Sequence, residues 1–122
     1  MKLLIADDSA FLRQRLSHLI AELTGTRNII YAEDVPTSVE AIRKEKPDVV
    51  VLDMQMPGGS GIDVLKKVQK ENQRSVFIVF TNYPYPPFRK ACFAAGADFF
   101  FDKSFDQNQL LALLNKLKQK TL

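Results

Sequence analysis

Apolar runs and helical stripes alternate along this chain at short, regular intervals. Residues 2–6 are apolar after Lys2 and end in Asp7-Asp8-Ser9, which predicts a buried strand ending in two acids. Ser9 suits the N-cap of a following helix. Leu12, Leu16, Leu19, Ile20 and Leu23 recur at helical spacing over about residues 10–24, while Arg13, Arg15, Ser17 and His18 fall off that stripe. Thr24-Gly25-Thr26 ends the helix. Residues 28–33 alternate in part, as a strand at a sheet edge does. Pro36 opens a second helix with Val39, Ala41 and Ile42 inward, and Lys44-Glu45-Lys46-Pro47 closes it.

The stretch from Asp48 to Gly61 organises the rest. Val49-Val50-Val51-Leu52 is an unbroken apolar run leading into Asp53, and Met56-Pro57-Gly58-Gly59 stops it. A run without polar alternation suits a central strand covered on both faces, here residues 48–53. Residues 61–68 start a third helix with Ile62, Leu65 and Val68 on one face. Residues 75–80 form a fourth strand ending in Thr81-Asn82, followed by a stiff segment, Tyr83-Pro84-Tyr85-Pro86-Pro87-Phe88. A short helix over about 87–95 stops at Gly96, and residues 98–103 form a fifth strand ending in Lys103. Asp106 caps a last helix carrying Leu110, Leu111, Leu114 and Leu117. The pattern is (βα)5, which implies an α/β three-layer sandwich with helices on both faces of a parallel sheet. Right-handed crossovers favour the flavodoxin-like strand order 2-1-3-4-5.

Composition narrows the function classes. With 122 residues, 46% hydrophobic and 25% charged, residues 1–122 read as one folded, soluble domain. A net charge of +3, with lysines spread over several segments, does not mark a nucleic-acid surface. The apolar runs are too short for membrane insertion. Acids follow the N-terminus too soon for a signal peptide. The single cysteine, Cys92, excludes an internal disulfide, fits a reducing cytoplasm and reads as a packing residue. The single histidine, His18, reads as solvated surface.

In the predicted order, strands one and three are neighbours, so Asp7, Asp8 and Asp53 converge at one crevice beyond the strand ends. Thr81 and Lys103 arrive there from strands four and five. Crowded carboxylates repel and disfavour their own ionisation. An all-oxygen set of this kind suits Mg²⁺, which takes few protein ligands and often bridges to phosphate. Two acids would hold the metal, and the third can act as a carboxylate nucleophile that forms an aspartyl phosphate. Each residue taken singly has a plainer reading: a helix cap for Asp7 or Asp8, a turn for Thr81, a snorkelling lysine for Lys103. Five at five strand ends of one crevice make a specific pattern.

From Lys2 to about Lys118 the chain resembles the receiver domain of bacterial two-component response regulators. The resemblance rests on Asp7-Asp8, on Leu52-Asp53-Met54-Gln55-Met56-Pro57, on Gly61, Thr81 and Lys103, and on their spacing. It implies that Asp53 accepts a phosphoryl group from the phosphohistidine of a partner histidine kinase. It implies that Asp8, Asp53 and the Gln55 backbone carbonyl ligate Mg²⁺, and that Asp7 acts through a metal-bound water. Thr81 and Lys103 would contact the phosphoryl group, and Phe100 matches the aromatic that turns inward on activation. Such a receiver is a signalling phosphoacceptor and catalyses only its own phosphorylation and dephosphorylation.

Two departures stand out. Ser104 follows the lysine where the family usually has a proline in a cis bond, and without proline a cis bond costs roughly 3 kcal/mol more. Asn82 replaces a usually small residue, and with Gln55 it forms a rim able to modulate phosphate lifetime. The leading expectation is a stand-alone, chemotaxis-regulator-like receiver that signals through the fourth helix, fifth strand and fifth helix. Tyr83, Tyr85 and Phe88 are candidate anchors there for a downstream protein or a homodimer. A relay carrier passing phosphate to a histidine phosphotransfer protein is the alternative. An aspartyl-phosphate phosphatase would want an acid at position 55, where Gln stands. An unphosphorylated interaction module would be expected to lack one of the site residues, and none is missing.

Overall fold

The computed structural model describes residues 1–69, 71 and 75–120. Five strands and five helices alternate: β1 (Lys2–Ala6), α1 (Ala10–Thr24), β2 (Asn28–Ala32), α2 (Val35–Glu45), β3 (Val49–Leu52), α3 (Gly61–Val68), β4 (Val76–Thr81), α4 (Pro86–Ala94), β5 (Phe99–Asp102) and α5 (Gln107–Lys120). The strands form one parallel sheet in the order β2-β1-β3-β4-β5, the predicted flavodoxin-like topology.

The unbroken apolar strands have a direct explanation in the packing. Side chains alternate across a strand, so Val50 and Leu52 of β3 join one core with Val35, Val39 and Ile42 of α2, Val64, Leu65 and Val68 of α3, and Cys92 of α4. Val49 and Val51 join a second core on the opposite face with Leu16 and Ile20 of α1 and Leu110, Leu111 and Leu114 of α5. Both faces of β3 are therefore dry, and neither admits a polar position. Leu23 departs from the expected stripe. It is exposed and lines, with Leu19, Leu111 and Ala112, an open groove of about 550 Å³ between α1 and α5.

Local signals set where the helices begin. Ser9 accepts the Leu12 N–H at 3.1 Å, as its N-cap position predicts. α2 starts one residue before Pro36, under a capping box in which Asp34 and Thr37 serve each other's backbone. A second capping box, Ser60 with Asp63, starts α3. Asp106 precedes α5 and its carbonyl accepts the Leu110 N–H, but its carboxylate turns back to accept the Asp102 N–H at 2.8 Å. That bond folds the β5–α5 turn toward the sheet.

The segment after β3 is more ordered than the turn signals indicate. Gln55–Met56 pairs antiparallel with Gly59–Ser60 in a small ribbon. The Pro57 carbonyl at its tip accepts the Val35 N–H at 3.1 Å, which ties the ribbon to the start of α2. Gly61 closes the ribbon onto β3. A Cβ there would sit 2.4 Å from the Asp53 carbonyl oxygen, closer than any real contact. Gly61→Ala is thus expected to lower stability by about 1–3 kcal/mol, the usual cost of overpacking. Chemical denaturation checks this.

Candidate functional site

The carboxyl ends of β1, β3, β4 and β5 open on one crevice. Asp7 follows β1, Asp53 follows β3, Thr81 ends β4 and Lys103 follows β5. Asp53 is fixed by its own backbone: its N–H donates to the Ala6 carbonyl at 3.0 Å. Its Oδ1 accepts the Met54 N–H at 2.7 Å. Asp7 is held likewise, with Oδ1 accepting the Ser9 N–H at 2.9 Å. Arg13, one turn into α1, donates to the Asp7 carbonyl at 2.6 Å.

Lys103 crosses the crevice and bonds both acids. Its Nζ lies 2.7 Å from Asp7 Oδ2 and 3.1 Å from Asp53 Oδ2. Asp7 and Asp53 are 3% and 7% exposed, so these charges meet away from bulk water. Asp8 completes the cluster. One carboxylate oxygen from each of Asp7, Asp8 and Asp53 lies within 4.8 Å of the others. Asp8 is exposed, and its carboxylate has no hydrogen-bond or ion-pair partner among the described residues.

The electrostatics follow from burial first. Burial pushes the Asp53 carboxyl above its ordinary value of 3.8; the Lys103 charge opposes that rise and the Asp7 charge adds to it. Burial alone would lower the Lys103 ammonium, but the Asp7 hydrogen bond and the charges of Asp53 and Asp7 outweigh it and raise the value above 10.5. Three carboxylates therefore face one ammonium, and negative charge remains uncompensated. The donor set is all oxygen, with one acid exposed and free, and that chemistry fits a hard divalent cation such as Mg²⁺.

The other expected site residues stand as follows. Thr81 is fully buried; its carbonyl accepts the Lys103 N–H at 2.9 Å and its hydroxyl accepts the Tyr83 N–H at 3.1 Å. Gln55, on the ribbon, and Asn82, just after β4, are both exposed, each one or two residues from a site residue. Phe100 lies outside the crevice, buried in the core beneath α4. Tyr83, Tyr85 and Phe88 are exposed, and Tyr85 meets Phe88 edge to face with centroids 5.7 Å apart. Ser104 follows Lys103 through a trans bond. Cys92 is buried, its thiol pushed up to about 11 by burial, as a packing residue would be. The Arg13 contact carries no sequence signal, because a long side chain reaching a backbone carbonyl leaves no periodic trace.

Comparison with known proteins gives a consistent result. The family described as "Response regulator receiver domain" matches residues 3–115. The chain is 30% identical over 118 residues to the chemotaxis protein CheY of Thermotoga maritima, covering 97% of this chain and 98% of that one. It is 33% identical to the probable transcriptional regulatory protein TcrX of Mycobacterium tuberculosis, over 97% of this chain and 50% of the relative. The chain thus spans about half the length of TcrX, and smaller shares of methylesterase relatives. Among solved structures, a LuxR-family DNA-binding response regulator from Staphylococcus aureus superposes with a TM-score of 0.85 at 28% identity, covering 96% of this chain and 98% of that one. The chemotaxis protein CheY4 of Vibrio cholerae superposes with a TM-score of 0.82 at 26% identity, covering 95% and 97%. Among the described residues, no helix is long and apolar enough to cross a membrane.

The raised Asp53 value gives a stability test with a definite sign. An acid whose folded value lies above 3.8 binds its proton more readily folded than unfolded, so ionising it costs stability. Asp53→Asn removes that cost at neutral pH. The variant is expected to be more stable than the parent at pH 7, and the gap to narrow as pH falls through the folded value toward 3.8. Urea denaturation across that range measures it.

Proposed function

The chain belongs to the response regulator receiver domain family of two-component signalling, and on that premise we propose that Asp53 is its phosphoacceptor, charged by a partner histidine kinase. The observation that carries this reading is the placing of Asp53 at the end of the central strand, 3.1 Å from Lys103 and grouped with Asp7 and Asp8. Oδ1 is already held by the Met54 N–H, so Oδ2, which faces Lys103, is the oxygen assigned to attack. It attacks the phosphorus of the phosphohistidine, the P–N bond breaks, and the imidazole nitrogen leaves with the electron pair. An aspartyl phosphate results.

Asp8, Asp53 and the Gln55 carbonyl would hold Mg²⁺, with Asp7 reached through a water. Bound there, the ion would supply positive charge toward the transferring phosphoryl oxygens. Lys103 does the same from the other side of the crevice. It is already poised between the two acids, so it has only to exchange one carboxylate oxygen for a phosphoryl oxygen. Thr81 presents a hydroxyl that can leave the Tyr83 N–H for the new group. Gln55 and Asn82, on the two exposed rims, control how water reaches the anhydride. The signal leaves through α4, β5 and α5, where Tyr83, Tyr85 and Phe88 offer aromatic anchors to a downstream protein or a second copy. Likeness over nearly the whole length of the Thermotoga chemotaxis protein supports a signalling role of this kind.

Incubation with acetyl phosphate and Mg²⁺ is expected to add one phosphate mass to the protein, and Asp53→Asn to abolish the adduct. An unchanged adduct in that variant would refute the assignment. For the metal, Asp8→Ala is expected to weaken Mg²⁺ binding more than Asp7→Ala, read by titrating the ion against each variant. Equal or reversed losses would exclude Asp8 as the direct ligand.

A further inference from the structure

A cation on α4 sits over the ring expected to take part in switching. The Arg89 guanidinium carbon lies 5.8 Å from the centroid of the Phe100 ring and 5.3 Å from that of Phe93. Both distances are within the range in which a cation is attracted to an aromatic face. Phe93 follows Arg89 by one turn of α4, so the two form a local pair on the helix surface. Phe100 belongs to β5 and is 7% exposed, packed in the same core as Cys92, Ala95, Met54 and Val79. Arg89 itself is exposed, and among the described residues its guanidinium has no hydrogen bond or ion pair. It lies over the two rings instead. The carboxylates at the two ends of β5 are engaged elsewhere: Asp98, just before it, accepts the Phe77 N–H, and Asp102 the Ser104 N–H.

We propose that Arg89 is a positioning residue, a cation–π clamp that holds the Phe100 ring buried and thereby couples α4 to β5, the strand that Lys103 follows. Phe100 and Lys103 are three residues apart on one short segment. Met54, packed in the same core, follows Asp53 directly and donates to its carboxylate. A ring held at this seam thus shares a core with the phosphoacceptor's neighbour and meets α4 at Arg89. The clamp closes from Arg89, itself exposed. The inference takes Phe100 as the switch aromatic that the resemblance implies and rests on the phosphoacceptor reading of Asp53, but its first test does not require phosphorylation.

Ring-¹³C-labelled phenylalanine, with Phe100 assigned by substitution, reports the ring directly in the unmodified protein through broadening by a soluble paramagnet. Arg89→Gln is expected to raise the solvent accessibility of Phe100 by about two- to fivefold, the factor that corresponds to an exposed cation–π contact. Arg89→Lys, which keeps the cation, is expected to recover most of the protection. If Arg89→Gln leaves Phe100 unchanged, or if Lys and Gln behave alike, no cation–π clamp exists. In a second measurement, beryllofluoride with Mg²⁺ is added to the parent and to Arg89→Gln. The variant is expected to keep the amide shifts at Met54 and Lys103 and to lose at least half of those along α4. Undiminished α4 shifts would overturn the coupling. If the parent shows no shift at Met54 or Lys103, the phosphoacceptor reading fails, and the ring measurement still decides the clamp.

Discussion

Like charge forced into one place is the constraint on which the rest of this structure depends. The strand order brings β1 beside β3, so the acids at their ends cannot separate. Water screens Asp8, but Asp7 and Asp53 are buried and rely on Lys103. A buried carboxylate that lost its partner would cost several kcal/mol. The geometry of β5 matters for that reason: it delivers one ammonium to two carboxylates from the far side of the sheet. The Asp102–Asp106 turn and the Thr81 carbonyl hold the backbone at that point. The fold thereby maintains a charge imbalance that its stability alone would not favour.

Most of the framework is legible in the sequence, and the reason is local. Strands covered on both faces leave no polar position, so Val49-Val50-Val51-Leu52 and Val76-Phe77-Ile78-Val79-Phe80 show both their extent and their ends. Asp53 and Thr81 stand at those ends, and Asp7 and Lys103 at the ends of β1 and β5, so all four could be placed without coordinates. Tyr83 and Tyr85 are exposed, as a proline-rich segment implies, and Phe88 shares that exposure.

What escaped the sequence was tertiary or too short to have a period. The ribbon of Gln55–Met56 and Gly59–Ser60 is two residues per strand, below any alternation that could announce it. Leu23 fits a helical stripe, yet α5 leaves that flank open. Asp106 has the residue type and position of a cap, but the Asp102 N–H competes for its carboxylate. The Arg13 contact with the Asp7 carbonyl and the Arg89 contacts with Phe93 and Phe100 depend on long side chains whose reach is set by three-dimensional neighbours.

Asp53 is attached to its surroundings at almost every atom its backbone offers. Its N–H is bonded to β1, its carbonyl is pressed against Gly61, and one carboxylate oxygen is tied to the next peptide. In mechanical terms it is a fixed post. A group added at Oδ2, the oxygen that faces Lys103, would not be accommodated by the post yielding, because the central strand behind it is packed on both sides. The displacement has to be taken up by what lies in front: the Lys103 side chain, the Thr81 hydroxyl and the loops that carry them. Rigidity at one residue therefore determines the direction in which the rest of the molecule can move.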